Sequence, residues 1–341
     1  MRVCVTGVAG FIGSSIARRL AEEGHEVVGI DCLTDYYDVE LKKSNLAAIN
    51  DVNFTYIDFD LAEGELGSVL NGCNAIIHQA GQPGVRSSWG SQFDDYTRNN
   101  IIATQRLLEH AKSVGTIEKF VYASSSSVYG NATSYPTTEE DLPRPLSPYG
   151  VSKLAAEHLC TLYAENFGVP TISLRYFTVY GPRQRPDMAF TRFCRAALTG
   201  SKITIYGDGE QVRDFTYIDD IVEANVLSLE SDYPAGSVVN LSGGTNISVN
   251  DVLLKLSAIA GHQLDVDRIG AVDGDVRRTG GLADRAREVL GWAPKVGLED
   301  GLERQFGWAS DVISKGFVSM AKTRIRGAEF SGAFLLRRIG R

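Results

Sequence analysis

The sequence predicts an α/β protein in which a doubly wound parallel sheet is joined to a second, smaller α/β domain. Two observations carry that prediction. Short β-branched runs alternate with helical patterns through the first half of the chain, the rhythm of parallel strands joined by crossover helices. The first run also opens directly into TGVAGFIGSSIARRL, a turn of evenly spaced glycines that starts a helix. Together they describe a Rossmann domain, whose ligand groups gather beyond the carboxyl ends of the strands.

Strands are expected at residues 2–6, 26–31, 53–57, 75–78, 119–123 and 171–176, most of them followed by a Gly-rich or polar turn. Helices are expected at 11–23, 98–113 and 149–167, where apolar residues recur at helical spacing. The last begins behind Ser147 and Pro148, a start signal. After Tyr176 the alternation loosens into the turn-rich GPRQRPDM, a helix over 190–198, a strand over 202–206 and the turn GDGEQ. TYIDDIVEANVLSLE reads as a helix and VVNLSG as a strand that returns to the first sheet. Residues 1–176, rejoined by about 214–243, are therefore expected to form the Rossmann domain, and 177–213 with 244–316 the substrate-binding domain. From Val318 onward basic residues face only Glu329, so 317–341 is expected to be a disordered or extraneous tail.

Composition narrows the function. A hydrophobic content of 43% supports a full core, and a net charge of −8 argues against nucleic acid or acidic membranes as partners. No apolar run reaches membrane-span length, and Met1 leads straight into VCVTGV, so the expected location is the cytoplasm. The five cysteines are scattered, with no C-x-x-C pair, as reduced thiols would be. The five histidines include no H-x-x-x-H pair, and no metal is expected.

Gly7, Gly10 and Gly13 let the backbone approach a pyrophosphate, whose charge meets the N–H groups at the helix start. Asp31, at the end of the second strand, can accept from both ribose hydroxyls and would repel a 2′-phosphate, which favours NAD over NADP. Asp60 and Leu61 after the third strand are placed to flank the adenine. Gln79, Ala80 and Gly81 after the fourth are placed to line the pyrophosphate and nicotinamide side.

Tyr149-x-x-x-Lys153 lies on an expected helix, so the two side chains share a face one turn apart. A tyrosine titrates near 10, and a neighbouring ammonium together with a cationic nicotinamide would favour its phenolate. Such a pair is also common with the tyrosine in the core and the lysine in solvent. Upstream, YASSSSVYG sets Ser124, Ser125, Ser126 and Ser127 at the end of the fifth strand, where either ligand contact or local capping would employ them.

Taken together, TGVAGFIG, Asp31, the serines with VYG, Tyr149-x-x-x-Lys153, RYFTVYGP and GDGEQVRDFTYIDD resemble the extended short-chain dehydrogenase/reductases, specifically the nucleotide-sugar epimerases, over about residues 1 to 310. The resemblance implies NAD as cofactor, held also by Phe11, Ile12, Asn100, Ser124 and Tyr176. It implies that Ser125 polarises the sugar 4-hydroxyl while Tyr149, supported by Lys153, takes its proton and C4 gives up hydride. Relatives that dehydrate or decarboxylate sugars carry acids where this chain has Ser126 and Ser127; without them a 4-keto sugar is expected to turn and recover its hydride on the other face.

RYFTVYGPRQRPDMAF is similar to UDP-glucuronate 4-epimerases, with Thr178 where UDP-galactose epimerases have Asn. Arg185 is then expected to meet the C6 carboxylate, fixing it against loss of carbon dioxide from the β-keto acid. Arg86, Arg213 and Arg278 are expected around the diphosphate, Tyr206 near the uracil, and Ser126, Ser127 and Thr178 around the sugar. GDVRRTGGLADRARE departs from many relatives, with Gly280 for an aromatic and Leu282 for Asp; a second departure is Val272, where UDP-galactose epimerases carry Arg. The expected reaction is reversible C4 epimerisation of UDP-glucuronate to UDP-galacturonate. UDP-glucose 4-epimerisation, or a net NAD-dependent sugar-nucleotide dehydrogenase or reductase, stands as the alternative. The resemblance also implies a homodimer through the helices at 98–113 and 149–167.

Overall fold

The structure, a computed structural model, describes residues 1–270 and 276–314; the expected tail and Val272 lie outside the described residues. The central sheet is formed by β1 (Arg2–Thr6), β2 (Glu26–Asp31), β3 (Phe54–Asp58), β4 (Ala75–His78), β5 (Lys119–Ser125) and β6 (Thr171–Tyr176). Three short strands follow, β7 (Thr178–Tyr180), β8 (Ile203–Tyr206) and β9 (Val212–Arg213), then β10 (Phe215–Tyr217) and β11 (Ser237–Leu241), and last β12 (Ile247–Ser248) and β13 (Val266–Ile269). β11 pairs parallel with β6, which completes a sheet of order β11-β6-β5-β4-β1-β2-β3. The order reverses at β1, and the crevice of a doubly wound sheet opens there, between the ends of β1 and β4.

Both faces of the sheet are buried, as parallel sheets require. Val3 and Val5 enter one core, with Ile16 and Leu20 of the helix Phe11–Glu22 and Ile221 of the helix Ile218–Glu230. Cys4, between them in sequence, enters the other with Ile76, Phe120 and Leu107. Each such aliphatic side chain contributes about 1.5–3 kcal/mol through burial. The smaller pairs β10·β7, β12·β9 and β13·β8 lie outside this sheet.

The sequence placed the six early strands and the helices at 11–23 and 149–167 within a residue or two, but not the short crossover helices Val39–Ala47 and Leu66–Val69. The helix expected over 98–113 differs, since Thr97–Ile102 is wound as a π-helix before Ala103–Val114 continues as α. That wider turn is a frequent device at functional sites, and here it carries Asn100. Gly280, which departs from the relatives' pattern, and its neighbour Gly281 both have a packing reason. A Cβ on Gly280 would overlap the Asn246 amide, and one on Gly281 would overlap the Phe177 ring.

Candidate active site

The glycine turn between β1 and the helix Phe11–Glu22 is closed against the end of β4. Gly7 has φ +67°, and a Cβ there would lie 2.7 Å from the Ala80 nitrogen; a Cβ on Gly13 would overlap the Gly7 carbonyl oxygen. Gly10 caps the helix without a side chain, so the N–H groups of its first turn are presented bare at the cavity mouth. This close cradle of backbone fits the pyrophosphate of a dinucleotide. Asp31 is fixed beside it, accepting from Ala9 N–H at 3.1 Å and Leu33 N–H at 2.8 Å.

One cavity brings together Gly7, Gly10, Phe11, Ile12, Gly13, Asp31, Asp60, Leu61, Gln79, Ala80, Gly81, Ser124, Tyr149, Lys153, Tyr176 and Arg185. It also takes in Tyr36, Tyr37, Lys42 and Gln82, which sequence reasoning missed. The aromatic pair in DYYDVELKK directly after Asp31 was the available signal. Lys42 donates to Thr34 O at 2.8 Å and stands 4.9 Å from the Tyr37 ring centre, closing the segment that follows Asp31. Asp60 is ion-paired with Arg98 at 2.8 Å.

Asn100 sits beneath the cavity rather than in its wall. Its Oδ1 accepts from Gln82 N–H at 2.6 Å, and its Nδ2 donates to Ser152 Oγ at 2.9 Å, which in turn donates to Tyr149 O at 2.8 Å. A buried relay reaches it from the glycine turn: Ala80 N–H donates to Thr6 Oγ1 at 3.1 Å, Thr6 Oγ1 meets His78 Nδ1 at 2.7 Å, and His78 Nε2 meets Thr104 Oγ1 at 3.0 Å. Thr104 gives its proton to Asn100 O at 2.6 Å, so the imidazole must donate from Nε2 and accept at Nδ1. Burial, assisted by Lys153, holds His78 neutral, with its pKa down at about 3.

Tyr149 and Lys153 stand on the helix Pro148–Phe167, whose start is fixed by Ser147 Oγ accepting from Gly150 N–H at 3.1 Å. Lys153 is buried and donates from Nζ to Ala123 O at 2.8 Å; burial draws its ammonium down to about 8. The Tyr149 phenol runs against expectation. Burial pushes it above its ordinary value, opposed by a hydrogen bond with Ser125 and by the charge of Arg185. Within the protein alone desolvation wins, because Lys153 directs its proton to a backbone carbonyl. Of the four serines, Ser125 accepts from Ser127 N–H at 3.2 Å, and Ser124 donates to Glu157 Oε2 at 2.6 Å. Glu157 belongs to a buried bidentate pair with Arg175, at 3.0 and 2.7 Å, and Arg175 also donates to Tyr129 OH at 2.6 Å. The Ser124 hydroxyl thus serves this network beneath the strand end.

On the other side of the cleft, Arg86 stacks 3.8 Å from the Tyr206 ring centre. Arg213 lies on β9, whose Val212 bridges to Arg278, and both arginines act on Tyr135. Thr178 opens β7, and Ser126 and Ser127 form a single 3-10 turn after β5. Seven expected substrate residues, Arg86, Ser126, Ser127, Thr178, Tyr206, Arg213 and Arg278, therefore lie outside the cavity that holds Arg185.

A glycine cradle at the switch point, an aspartate at the second strand end and a Tyr-Lys pair on one helix face define a dinucleotide-dependent enzyme of the short-chain type. The chain belongs to the NAD dependent epimerase/dehydratase family, whose pattern it matches over residues 3–242. It is 38% identical over 317 residues to a UDP-glucuronate 4-epimerase of Thermodesulfobacterium geofontis, covering 91% of this chain and 96% of that one. It is 41% identical over 314 residues, 92% of this chain and 99% of the other, to an uncharacterized UDP-glucose epimerase, YtcB, of Bacillus subtilis. The crystal structure of UDP-glucuronic acid 4-epimerase from Bacillus cereus in complex with UDP-glucuronic acid and NAD superposes with a TM-score of 0.88 at 41% identity, covering 92% of this chain and all (100%) of that one.

Proposed function

We propose that this chain is an NAD-dependent UDP-glucuronate 4-epimerase, interconverting UDP-glucuronate and UDP-galacturonate. The observation that carries the reading is Arg185, a guanidinium lining the same cavity as Tyr149, Lys153 and the glycine turn. A charged group so placed suits a sugar that bears a carboxylate. The cofactor, when bound, supplies a hydride acceptor at C4 that returns what it takes.

The protein's own groups supply the rest. The glycine turn, Asp31 and Gln79 are assigned to holding the dinucleotide. Tyr149 is the base that takes the 4-hydroxyl proton and later returns it, with Ser125 sharing the hydrogen bond and Lys153 supplying positive charge from the next helical turn. Neither Ser126 nor Ser127 can act as the additional acid that dehydration or decarboxylation requires. Arg86, Arg213 and Arg278 are assigned to the diphosphate, Tyr206 to the uracil, and Thr178 with Ser126 and Ser127 to the sugar.

We also infer a homodimer and a reducing, cytoplasmic setting. Val151, Leu162 and Phe167 on the helix Pro148–Phe167 are 46%, 50% and 51% exposed, and Ile102 and Val114 on the neighbouring helical segment 43% and 42%. All five cysteines are free thiols, and among the described residues no helix is long and apolar enough to cross a membrane.

Incubating the purified protein with UDP-glucuronate and separating the sugar nucleotides by chromatography tests the reading. Appearance of UDP-galacturonate without net reduction of added NAD supports it. Conversion of UDP-glucose alone would transfer the assignment to the neutral sugar, and stoichiometric NADH release would make the enzyme a dehydrogenase.

A further inference from the structure

We propose that Asp187 sets the sugar specificity of the site by holding the Arg185 guanidinium along one edge, so that its other edge receives the C6 carboxylate in a single plane. The proposal rests on the uronate reading above. Arg185 donates from Nε to Asp187 Oδ1 and from Nη2 to Asp187 Oδ2, each at 3.0 Å. A guanidinium is a rigid planar fork, so this two-point bond leaves the Nη1 amino group and the second Nη2 hydrogen for another planar acceptor.

The chain makes the pair stiff. Pro186 stands between the two residues and fixes its own φ, and Met188 N–H closes the turn on Arg185 O at 3.2 Å. Behind the turn, buried Gln184 donates to Val179 O and accepts from Gln305, both at 2.9 Å, while Gln305 accepts the Gly181 N–H at 2.9 Å. Arg183, at φ 70°, is tied to Ser15 Oγ at 3.0 Å. The side chains of Arg185 and Asp187 are only 21% and 15% exposed.

An unpaired buried cation would attract a carboxylate in any orientation. With Asp187 already cancelling most of its charge, Arg185 gains chiefly from an acceptor that matches its plane. Orientation matters here because a 4-keto uronate is a β-keto acid. Its C5–C6 bond breaks when aligned with the ketone π system: the electron pair passes into the C4 carbonyl as an enolate, C5 then takes a proton, and carbon dioxide leaves. A carboxylate held in one plane keeps that bond out of alignment.

The test compares wild type with Asp187→Asn, Asp187→Glu and Arg185→Ala in the NAD-loaded enzyme, with melting temperature and bound NAD measured for each. Asp187→Asn is expected to lower kcat on UDP-glucuronate about tenfold without raising KM, and to increase carbon dioxide released per turnover. Calorimetric affinity for UDP-glucose should stay within about twofold, since a neutral sugar has nothing for the pinned edge to orient. Asp187→Glu, which keeps the carboxylate, should recover part of the loss. Unchanged uronate kinetics in Asp187→Asn, or equal losses toward both sugars with a lowered melting temperature, would overturn the role of Asp187. If the wild type converts UDP-glucose but not UDP-glucuronate, the uronate reading itself fails; if Arg185→Ala spares UDP-glucuronate turnover, the carboxylate is held elsewhere and the present inference fails with it; if Arg185→Ala is uronate-selective and Asp187→Asn is not, only the present inference fails.

Discussion

Lys153 is held at a cost to the fold. Its folded pKa of about 8 lies below the ordinary 10.5, so the unfolded chain binds its proton more tightly and charging it in place is unfavourable. The penalty is full below pH 8 and vanishes as pH rises past 10.5. Lys153→Met is therefore expected to stabilise the NAD-free protein at pH 7 by about 2 kcal/mol, an advantage that disappears above pH 10, while activity falls by roughly 10²-fold or more. Urea titrations at the two pH values check the first part; an unchanged or lowered midpoint at pH 7 would refute it. Tyr149→Phe should keep fold and NAD binding and lose roughly 10²–10⁴-fold in kcat. At this scale the sequence was most informative where chemistry fixes a spacing, as in Gly7, Gly10, Gly13, Asp31, Tyr149 and Lys153. For Tyr36, Tyr37 and Lys42 it offered only the aromatic pair that follows Asp31, because their place in the cavity lining depends on how the segment after the second strand is folded. It also could not show that the Tyr149 phenol is pushed up, since desolvation has no sequence signature.

Among the elements, the glycine turn tolerates least. A methyl on Gly13 meets the backbone oxygen of Gly7, which cannot swing away as a side-chain tip can, so Gly13→Ala should separate the helix from the strand. Loss of copurifying NAD and a stability drop of about 1–3 kcal/mol are expected, read by absorbance and melting. The Glu157–Arg175 pair beneath Ser124 is a second such point, because removing one partner leaves an uncompensated buried charge. Glu157→Gln should cost about 3–5 kcal/mol in a denaturant titration. Element positions were legible because a sheet buried on both faces needs continuous apolar strands. The π-helical turn at Thr97–Ile102 was not: its pattern reads as ordinary helix, and the turn carries Asn100, which bonds to Gln82 and Ser152 far from it in sequence.

For the whole molecule, the expected pairing through the helices at 98–113 and 149–167 would cover the exposed Val151, Leu162 and Phe167. Leu162→Glu with Val151→Glu should give a monomer by light scattering, and a dimer of unchanged mass would place the contact elsewhere. The return of VVNLSG to the first sheet was legible in the sequence and is what the structure shows, whereas its partner strand β6 was not, since nothing local to the segment specifies which strand it joins.

The imidazole strut under the cofactor turn ties this assembly to acidity. His78 stays neutral when folded, with a pKa near 3, while an unfolded chain would protonate it below 6.5. Stability carried by this group is thus present above pH 6.5 and drains as pH falls toward 3, by about 2 kcal/mol at pH 5. Acid should accordingly loosen the scaffold under the cleft between pH 6.5 and 3, read as a falling melting temperature that recovers when the solution is brought back to neutral.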